Sequence, residues 1–333
     1  MLINEAQAVP ALFDAVQHLY DRAKGRYRFV LSGSSARKLR RSGANLLPGR
    51  SIVHHLFPLL AIEREPTSPR PRASSAIVPV PGAVPAPLFP AADLEGRLLY
   101  GDLPGVALAP ERDRAALLQT YAYVYLEEEL RREALIKDWP SFARFLRLAA
   151  LESGQLVNYS RLASQAGTTA PTVKSHYQLL EDMFVGVHVP AFTRSARKHV
   201  LSTPRFLFFD LGVRNGAAEL PFSRDAVAAN PGPLFEQWVG LELHRRLRYL
   251  GRGSLSYLRT KAGAEVDYIV EIDRQCIPIE VKWTAEPTTA DVRHLRAFLD
   301  AESSRAKHGY VVCRCQRPLR LADDITAVPW DSM

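Results

Sequence analysis

The sequence predicts a multidomain α/β protein, and three observations support that class. Its 333 residues exceed the usual length of a single domain. The first forty residues read as strand, helix and strand, which is typical of a parallel sheet. The last hundred residues follow the order α-β-β-β-α-β, a compact α/β unit of ordinary domain length. We expect domains at 1–65, 96–229 and 230–333, with a proline-rich linker at 66–95.

Periodicity and composition justify the N-terminal unit and the linker. Four apolar residues recur at helical spacing before the β-rich run YRFVLSG: Val9, Leu12, Val16 and Leu19. The linker is indicated by composition, because residues 66–90 contain eight of the 24 prolines. Helical periodicity returns in RDRAALLQTYAYVYLEEELRREAL and continues through SFARFLRLAALESG.

The amino-acid composition indicates which cellular compartment we expect for this protein. The chain is 47% hydrophobic, and prolines break its longest apolar runs before they reach the length of a membrane span. It opens with no basic segment followed by an apolar stretch, which argues against secretion. Three cysteines are too few for a disulfide framework and indicate a reducing compartment. We therefore expect a cytoplasmic protein without a membrane partner.

The basic residues are clustered, which matters more than the net charge of +8. Arginine outnumbers lysine 35 to 8, which is typical of a GC-rich coding bias and weakens the argument from total charge. Residues 22–50, however, hold nine basic residues and no acid, and residues 190–205 hold four and no acid. These two patches favour DNA as a partner.

The middle of the chain has helix-turn-helix spacing. VNYSRLASQAGTTAPTVKSHYQLLEDM contains two short helical patterns separated by a turn at Gly167. Two β-rich runs follow, FVGVHVPAF and PRFLFFDLG, as in the wing of a winged helix. The alternative is a plain helical hairpin packed between domains. In a winged helix, the second helix would place four residues in a groove of DNA: Thr172, Lys174, Ser175 and His176. Three wing cations would contact phosphates: Arg194, Arg197 and Lys198.

The segment GAEVDYIVEIDRQCIPIEVKW suggests a metal site on two adjacent strands. Glu280 and Lys282 lie two residues apart on one strand and therefore project to the same side, within reach of Asp267 on the preceding strand. Asp267 and Glu280 are hard oxygen ligands suited to Mg²⁺ or Mn²⁺, and Lys282 suits a reacting phosphate or water. The alternative is an exposed strand face with ordinary salt bridges.

This arrangement resembles the D-(x)n-E-x-K motif of the restriction-endonuclease-like nucleases, whose core has a similar order of elements. Glu236, on the helix that opens the block, lies where those folds often add a further acid. The resemblance implies a catalytic set of Asp267, Glu280, Lys282 and Glu236.

The N-terminus resembles part of an AAA-type ATPase core. LINEAQAVP is similar to a Walker B strand, with Asn4 at the aspartate position and Glu5 retained. FVLSGSS is similar to the sensor-1 strand, with Ser32 at its polar position. The 333 residues contain no G-x-x-x-x-G-K-[ST] loop to hold the phosphates, which argues against ATP binding and hydrolysis.

Taken in order, further motifs resemble one family. They include YGDLPGV, YVYLEEELRREALI, FLRLAALESGQLVNYSRLA and FLFFDLGVRN. The family is the predicted bacterial and archaeal AAA-type ATPases whose C-terminal half is domain of unknown function 4143. The resemblance implies an AAA-type core, a winged helix and a restriction-endonuclease-like C-terminal domain. Family members carry a P-loop upstream of the Walker B strand, so this chain resembles a truncated member with a partial AAA-type P-loop core.

Three functional readings follow. The first is a DNA-associated protein with a degenerate ATPase remnant and a nuclease-like C-terminal domain. The second is a non-catalytic regulator that binds DNA, a protein partner or further copies of itself. The third is an ATP-binding protein whose true start lies upstream and restores the P-loop.

Overall fold

The structure is a computed structural model that describes residues 1–6, 9, 11–33, 51–66, 77–80, 88–134, 136, 138–193, 203–260 and 263–333. It confirms the multidomain α/β class. The described residues contain a small parallel strand pair, a helical middle region and a six-stranded mixed sheet.

The N-terminal residues form the expected βαβ unit. Strand β1 (Leu2–Ile3) pairs in parallel with β2 (Val30–Leu31), and helix α1 (Ala11–Arg22) connects them. Phe13 and Val16 are the buried residues of α1. Much of the N-terminal basic patch falls at 34–50, outside the described residues.

Seven α-helices are described between residues 94 and 182, with a π-helix at Tyr121–Tyr125 between the third and the fourth, and side-chain caps mark the start of several. They are α2 (Leu94–Tyr100), α3 (Pro104–Leu108), α4 (Glu111–Thr120), α5 (Leu126–Ala134), α6 (Trp139–Leu151), α7 (Tyr159–Ala166) and α8 (Ala170–Asp182). Asp138, Asn158 and Thr169 each accept a backbone N–H and so cap α6, α7 and α8. Gly167 ends α7 with a φ of 72°, a conformation that favours glycine.

A two-stranded ribbon follows these helices. Strand β3 (Gly186–Val189) pairs with β4 (Arg205–Phe208) in antiparallel register. The ribbon packs on α6, α7 and α8 through shared buried residues, which include Phe145, Tyr177 and Phe206. Three helices followed by a ribbon are the elements that a winged helix needs, and the assignment stays a prediction. The wing cations Arg194, Arg197 and Lys198 lie outside the described residues.

The C-terminal part is built on a six-stranded sheet. Its elements are α9 (Leu211–Ala217), α10 (Arg224–Ala229), α11 (Pro231–Leu250), β5 (Ser254–Arg259), β6 (Glu265–Ile272), β7 (Gln275–Val281), α12 (Arg293–Ala301), β8 (Gly309–Cys313), β9 (Leu319–Ala322) and β10 (Ile325–Pro329). Short 3₁₀ turns occupy Ala61–Glu63, Thr289–Val292 and Trp330–Ser332. The strand order is β5-β6-β7-β8-β10-β9, with β7, β8 and β10 parallel to one another.

The predicted order α-β-β-β-α-β is incomplete, because two strands follow β8. β10 pairs in parallel with β8, and its residues Ile325 and Ala327 are fully buried. β9 pairs antiparallel with β10 across a short Asp-Asp connection. Prolines and charged residues interrupt RPLRLADDITAVPW, so its alternation of apolar residues is too weak to predict strands.

Each face of the sheet carries one helix. On one face, α11 contributes Trp238, Val239 and Leu243 to a core with Tyr268 and Ile279. On the other face, residues of α12 form a second core with strands β6 and β8: Leu295, Phe298 and Leu299 pack near Val266, Ile269 and Val311. The two-layer covering explains why the strands read as nearly continuous apolar runs.

A buried polar network ties Arg64, Arg97 and Asp102 to helix α11, which covers one face of this sheet. Asp102 lies within 3.2 Å of Arg64, 3.3 Å of Arg97 and 3.8 Å of Arg245, and it accepts a 3.0 Å hydrogen bond from Trp238 Nε1. The backbone N–H of Asp102 donates to Asp210, the cap of α9. The motifs YGDLPGV and FLFFDLGVRN therefore supply buried structural carboxylates.

Part of the proline-rich stretch also packs into the protein. Ile77 and Val78 are buried in the core around α11, and Val78 O accepts a hydrogen bond from Arg246. The predicted domain boundaries, including the linker at 66–95, stay predictions.

Two further observations concern the helices and the cysteines. Among the residues that the structure describes, none of the helices combines the length and the apolar character needed to cross a membrane. Cys276, Cys313 and Cys315 are buried free thiols.

Candidate metal centre

The predicted acids lie where the β6–β7 hairpin begins to separate. The ladder between β6 and β7 runs up to Tyr268 opposite Ile279, and Asp267 and Glu280 are the next residue on each strand. On its other side, β6 carries a bulge, in which Asp267 and Tyr268 both lie opposite Tyr257 of β5. A bulge redirects a side chain, and here it changes the alternation at Asp267.

Hydrogen bonds hold these residues in place. Asp267 Oδ2 accepts the backbone N–H of Val281 at 2.8 Å. Lys282 Nζ donates to Glu280 Oε1 at 2.7 Å. The second oxygen, Glu280 Oε2, is buried and has no hydrogen-bond donor from the described residues. Glu280 is only 6% exposed and Asp267 only 9% exposed, so both carboxyl groups are shielded from bulk water.

A third acid, Glu236, reaches the same region from helix α11. Its Oε1 accepts a hydrogen bond from Arg205, the first residue of β4. Arg205 also donates to Glu265 Oε1 at 2.6 Å and lies over the ring of Tyr257, 4.9 Å from the centroid. Arg205 therefore connects the ribbon to the helix and the sheet that carry the predicted site.

Burial and neighbouring carboxylates raise the pKa values of all three predicted acids. Burial, reinforced by the charge of Asp267, raises the pKa of Glu280 to about 8. The same two causes raise the pKa of Glu236 to about 7, against the opposing effect of Arg205. Burial also raises the pKa of Asp267, although the Val281 N–H and Arg205 stabilise its ionised form. Perturbed acids gathered at one place are typical of functional sites.

The pKa of Lys282 is raised like those of the acids, but in a lysine this shift favours the charged form. Burial alone would lower the pKa of its ammonium group, but the carboxylates of Glu280 and Asp267 outweigh burial and raise it. Its side chain is 34% exposed, so the cation lies between the buried acids and solvent.

The carboxylates of Asp267 and Glu280 suit a divalent cation that takes its remaining ligands from water or substrate. Within the described part of the chain, no three His, Cys, Asp or Glu side chains form a group that could hold a metal ion. Two carboxylates remain, Asp267 and Glu280, and Glu280 Oε2 is a buried oxygen without a donor. Mg²⁺ is commonly bound by one or two carboxylates, with water and substrate phosphate as further ligands. The residues present therefore fit Mg²⁺ or Mn²⁺.

Two members of this cluster, Glu265 and Arg205, were not predicted from the sequence. Glu265 lies two residues before Asp267, and that spacing was a usable signal for a shared site. Arg205 was part of a basic segment and had no signal linking it to acids 31 and 60 residues away.

The structure brings two of the ATPase-remnant residues together. Ser32 Oγ donates to Asn4 Oδ1 at 2.6 Å across the β1–β2 pair. Glu5 follows Asn4 with a φ of 53°, in the left-handed region. The assignment of Asn4, Glu5 and Ser32 to a degenerate nucleotide site stays a prediction.

The four predicted groove residues of α8 have different surroundings. Lys174 and Ser175 are exposed. Thr172 shares a 2.9 Å hydrogen bond with Thr169 at the start of the helix. His176 packs on Phe142 and Phe145 of α6, with ring centroids 4.8 and 5.0 Å apart, and burial lowers its pKa.

Three family models match successive parts of the chain. Residues 1–64 match an AAA domain, residues 91–224 match the domain of unknown function DUF8612, and residues 231–333 match the domain of unknown function DUF4143. Two uncharacterized proteins, Rv2008c of Mycobacterium tuberculosis and Mb2031c of Mycobacterium bovis, are each 26% identical over 333 residues. The alignment covers 99% of this chain and 68% of each relative. The chain therefore joins an AAA-type region at its N-terminus to DUF4143 at its C-terminus, as its motifs predicted.

Proposed function

We propose that the C-terminal region, residues 231–333, is a metal-dependent nuclease-type module. Asp267 and Glu280 bind Mg²⁺ or Mn²⁺, and Lys282 contacts the phosphate that is cleaved. The observation that carries this proposal is the buried Glu280 Oε2, which has no donor from the described residues although the charge of a second buried carboxyl group, that of Asp267, acts on Glu280. A buried carboxylate oxygen without a partner is costly, and a bound cation removes that cost.

The charges of the cluster support a divalent ion. Four carboxylates, those of Glu236, Glu265, Asp267 and Glu280, face the two cations Arg205 and Lys282. When all six groups are ionised, two negative charges remain uncompensated, which equals the charge of one Mg²⁺ or Mn²⁺ ion. Without that ion, raised carboxyl pKa values keep the cluster partly protonated.

The side chains present match the needs of phosphodiester hydrolysis. The bound cation would supply Lewis acidity toward a phosphate oxygen. Lys282, half-buried beside Glu280, can donate to another phosphate oxygen. Glu236, with a pKa of about 7, has the basicity to accept a proton from the attacking water. As the water oxygen bonds to phosphorus, the bond to the leaving oxygen breaks, the leaving oxygen takes a proton from solvent water, and Glu236 afterwards returns its accepted proton to solvent.

A cleavage assay tests this proposal. The purified chain is incubated with Mn²⁺ or Mg²⁺ and labelled single-stranded DNA, duplex DNA or RNA. We expect cleavage to fall about 100-fold or more in Asp267→Asn and in Lys282→Met, because each change removes a group that stabilises the reacting phosphate. Asp300→Asn, at an exposed position of α12, is the control and should cleave like the wild type. Equal cleavage by all four proteins would assign the activity to a contaminant.

We also propose that the three-helix and ribbon region, 139–208, associates with DNA. The supporting observation is that Lys174 and Ser175 are exposed on α8, the second helix of the predicted helix-turn-helix, beside an antiparallel ribbon. This location matches the groove-reading helix of that motif.

The salt dependence of DNA binding tests whether the cations of this surface contact DNA phosphates. Lys174→Ala should reduce the slope of log affinity against log salt by about one unit, because one phosphate or groove contact is lost. Replacing Arg194, Arg197 and Lys198 together should reduce the slope by about three units. Arg296→Ala, at an exposed position of α12, is the control. Unchanged slopes in both test variants would exclude this surface as the DNA interface.

A further inference from the structure

A tryptophan and an arginine form a stacked pair directly beyond the proposed metal site. Trp283 is the residue after Lys282, and Arg314 is the residue after β8. The guanidinium carbon Cζ of Arg314 lies over the Trp283 ring, 4.4 Å from its centroid. Arg314 is exposed and Trp283 is partly buried. The nuclease proposal above gives a role to neither side chain.

Backbone hydrogen bonds hold the Trp283–Arg314 pair at one end of the sheet. Lys282 N–H donates to Val312 O at 3.0 Å, and Arg314 N–H donates to Thr284 O at 2.9 Å. Because β7 and β8 are parallel, the residues that follow them lie at the same edge of the sheet. The carboxyl ends of parallel strands are where α/β sheets commonly bind their ligands.

The Trp283 ring is also fixed against helix α11. Its centroid lies 5.7 Å from that of the Phe235 ring, and the two ring planes meet at 73°. Phe235 immediately precedes Glu236, the proposed proton acceptor. The Trp283–Arg314 pair is therefore joined to the proposed site in two ways, through Lys282 in the chain and through α11 in space.

A second pair of the same geometry shows what is different about Arg314. The guanidinium carbon of Arg131 also lies 4.4 Å from the centroid of a tryptophan ring, that of Trp139, but Arg131 forms a 2.6 Å ion pair with Glu127. Within the part of the chain that the structure describes, no carboxylate forms an ion pair with Arg314. Its charge and its N–H donors therefore stay available to a ligand.

We propose that the Trp283–Arg314 pair binds an unpaired base of single-stranded nucleic acid, next to the phosphate that Lys282 contacts. The base stacks on the face of the guanidinium that is turned away from Trp283. This inference rests on the proposed function and names its substrate class.

The chemistry of the pair favours a base in a single strand. Nucleobases stack on guanidinium planes as well as on aromatic rings, and a single strand presents bases whose faces are free. In a duplex each base is stacked between its neighbours, so the same contact requires an unstacking step that costs free energy. Lysine cannot replace Arg314 in this role, because an ammonium group carries the charge but has no planar face.

Oligonucleotide binding in chelator tests the Trp283–Arg314 pair without cleavage. The probes are a thymidine DNA strand, a uridine RNA strand, an abasic strand and a duplex, all of one length. Arg314→Lys should weaken binding of the thymidine or the uridine strand about tenfold, because the stacking contact is lost. Binding of the abasic strand and the duplex should change by less than about threefold, because the charge is kept. Arg131→Lys is the matched control and should bind all four probes like the wild type.

Photocrosslinking makes the same test local. A strand that carries 5-iodouracil should crosslink to the peptide that contains Trp283 or to the one that contains Arg314. The yield of that crosslink should fall about fivefold or more in Arg314→Lys, because the base is no longer held there.

Three results would overturn the proposal. An equal loss of affinity for the abasic strand would show that Arg314 contacts only phosphate. Unchanged affinity for both single strands would show that no base is bound. Crosslinks confined to other peptides would place the bases elsewhere on the chain. The proposed function fails separately: if Asp267→Asn cleaves like the wild type while Arg314→Lys loses single-strand binding, the nuclease site is wrong and the Trp283–Arg314 pair stands.

Discussion

Replacing Asp102 with alanine is expected to lower the free energy of unfolding by about 3–5 kcal/mol. Asp102 is 1% exposed and balances three guanidinium groups that are themselves 3% exposed, those of Arg64, Arg97 and Arg245. It also accepts the indole N–H of Trp238. Alanine leaves these buried donors without their carboxylate, and an uncompensated buried charge is among the most destabilising changes in a protein core.

Urea denaturation of the wild type and of Asp102→Ala gives the difference in their free energies of unfolding. Asp273→Asn is the matched control, because Asp273 pairs with Arg252 at the surface, where both side chains are more than half exposed. That control should change stability by less than about 1 kcal/mol. A loss below about 1 kcal/mol in Asp102→Ala would show that the network does not hold the two halves of the chain together.

Replacing Glu280 with glutamine is expected to stabilise the metal-free protein at pH 8 but not at pH 5. Burial and the neighbouring Asp267 raise the pKa of Glu280 from 4.5 to about 8. The folded state therefore holds this proton more tightly than the unfolded state does, and the wild type loses stability as the pH rises between those two values. Glutamine does not ionise, so its advantage should grow by up to about 1.4 kcal/mol per pH unit in this window.

Thermal unfolding across pH 5 to 8 in chelator checks this expectation. The Glu280→Gln variant keeps Asp267, Glu236 and Lys282. Any dependence of its stability on pH therefore comes from the titration of the remaining groups. Asp300→Asn should follow the wild type. Saturating Mg²⁺ should narrow the gap between wild type and Glu280→Gln, because the ion stabilises only a carboxylate that can bind it. A constant difference at every pH would contradict the proposed ionisation of Glu280.

The two ends of the chain could be predicted because their signals are local. The AAA-type region follows from short strand motifs around Asn4 and Ser32, and the DUF4143 region follows from the order of motifs along the chain. Glu280 and Lys282 were predictable as neighbours, since a strand places alternate residues on one side. Glu280 and Lys282 lie close to Asp267 in the sequence, and the β6–β7 hairpin brings the two strands side by side.

Features that depend on tertiary packing could not be predicted. The bulge that places Asp267 and Tyr268 opposite Tyr257 leaves no mark in the residue pattern. Arg205 reaches the site only because the ribbon packs on β5, through contacts between residues 54 to 67 positions apart in the chain. The role of Asp102 was hidden for the same reason, since its partners come from distant parts of the chain. Long-range contacts of this kind carry no periodic signal.

Calorimetric titration of Mn²⁺ into the wild-type chain at about pH 7.5, in two buffers of different ionisation enthalpy, tests the proposed metal centre. We expect one site per chain and proton release on binding, because Glu280 is largely protonated at that pH. Asp267→Asn and Glu280→Gln should each weaken binding by about tenfold or more, and proton release should fall in Glu280→Gln. Asp300→Asn should bind like the wild type. Binding that survives both site changes, or no binding at millimolar Mn²⁺, would contradict a metal centre at Asp267 and Glu280.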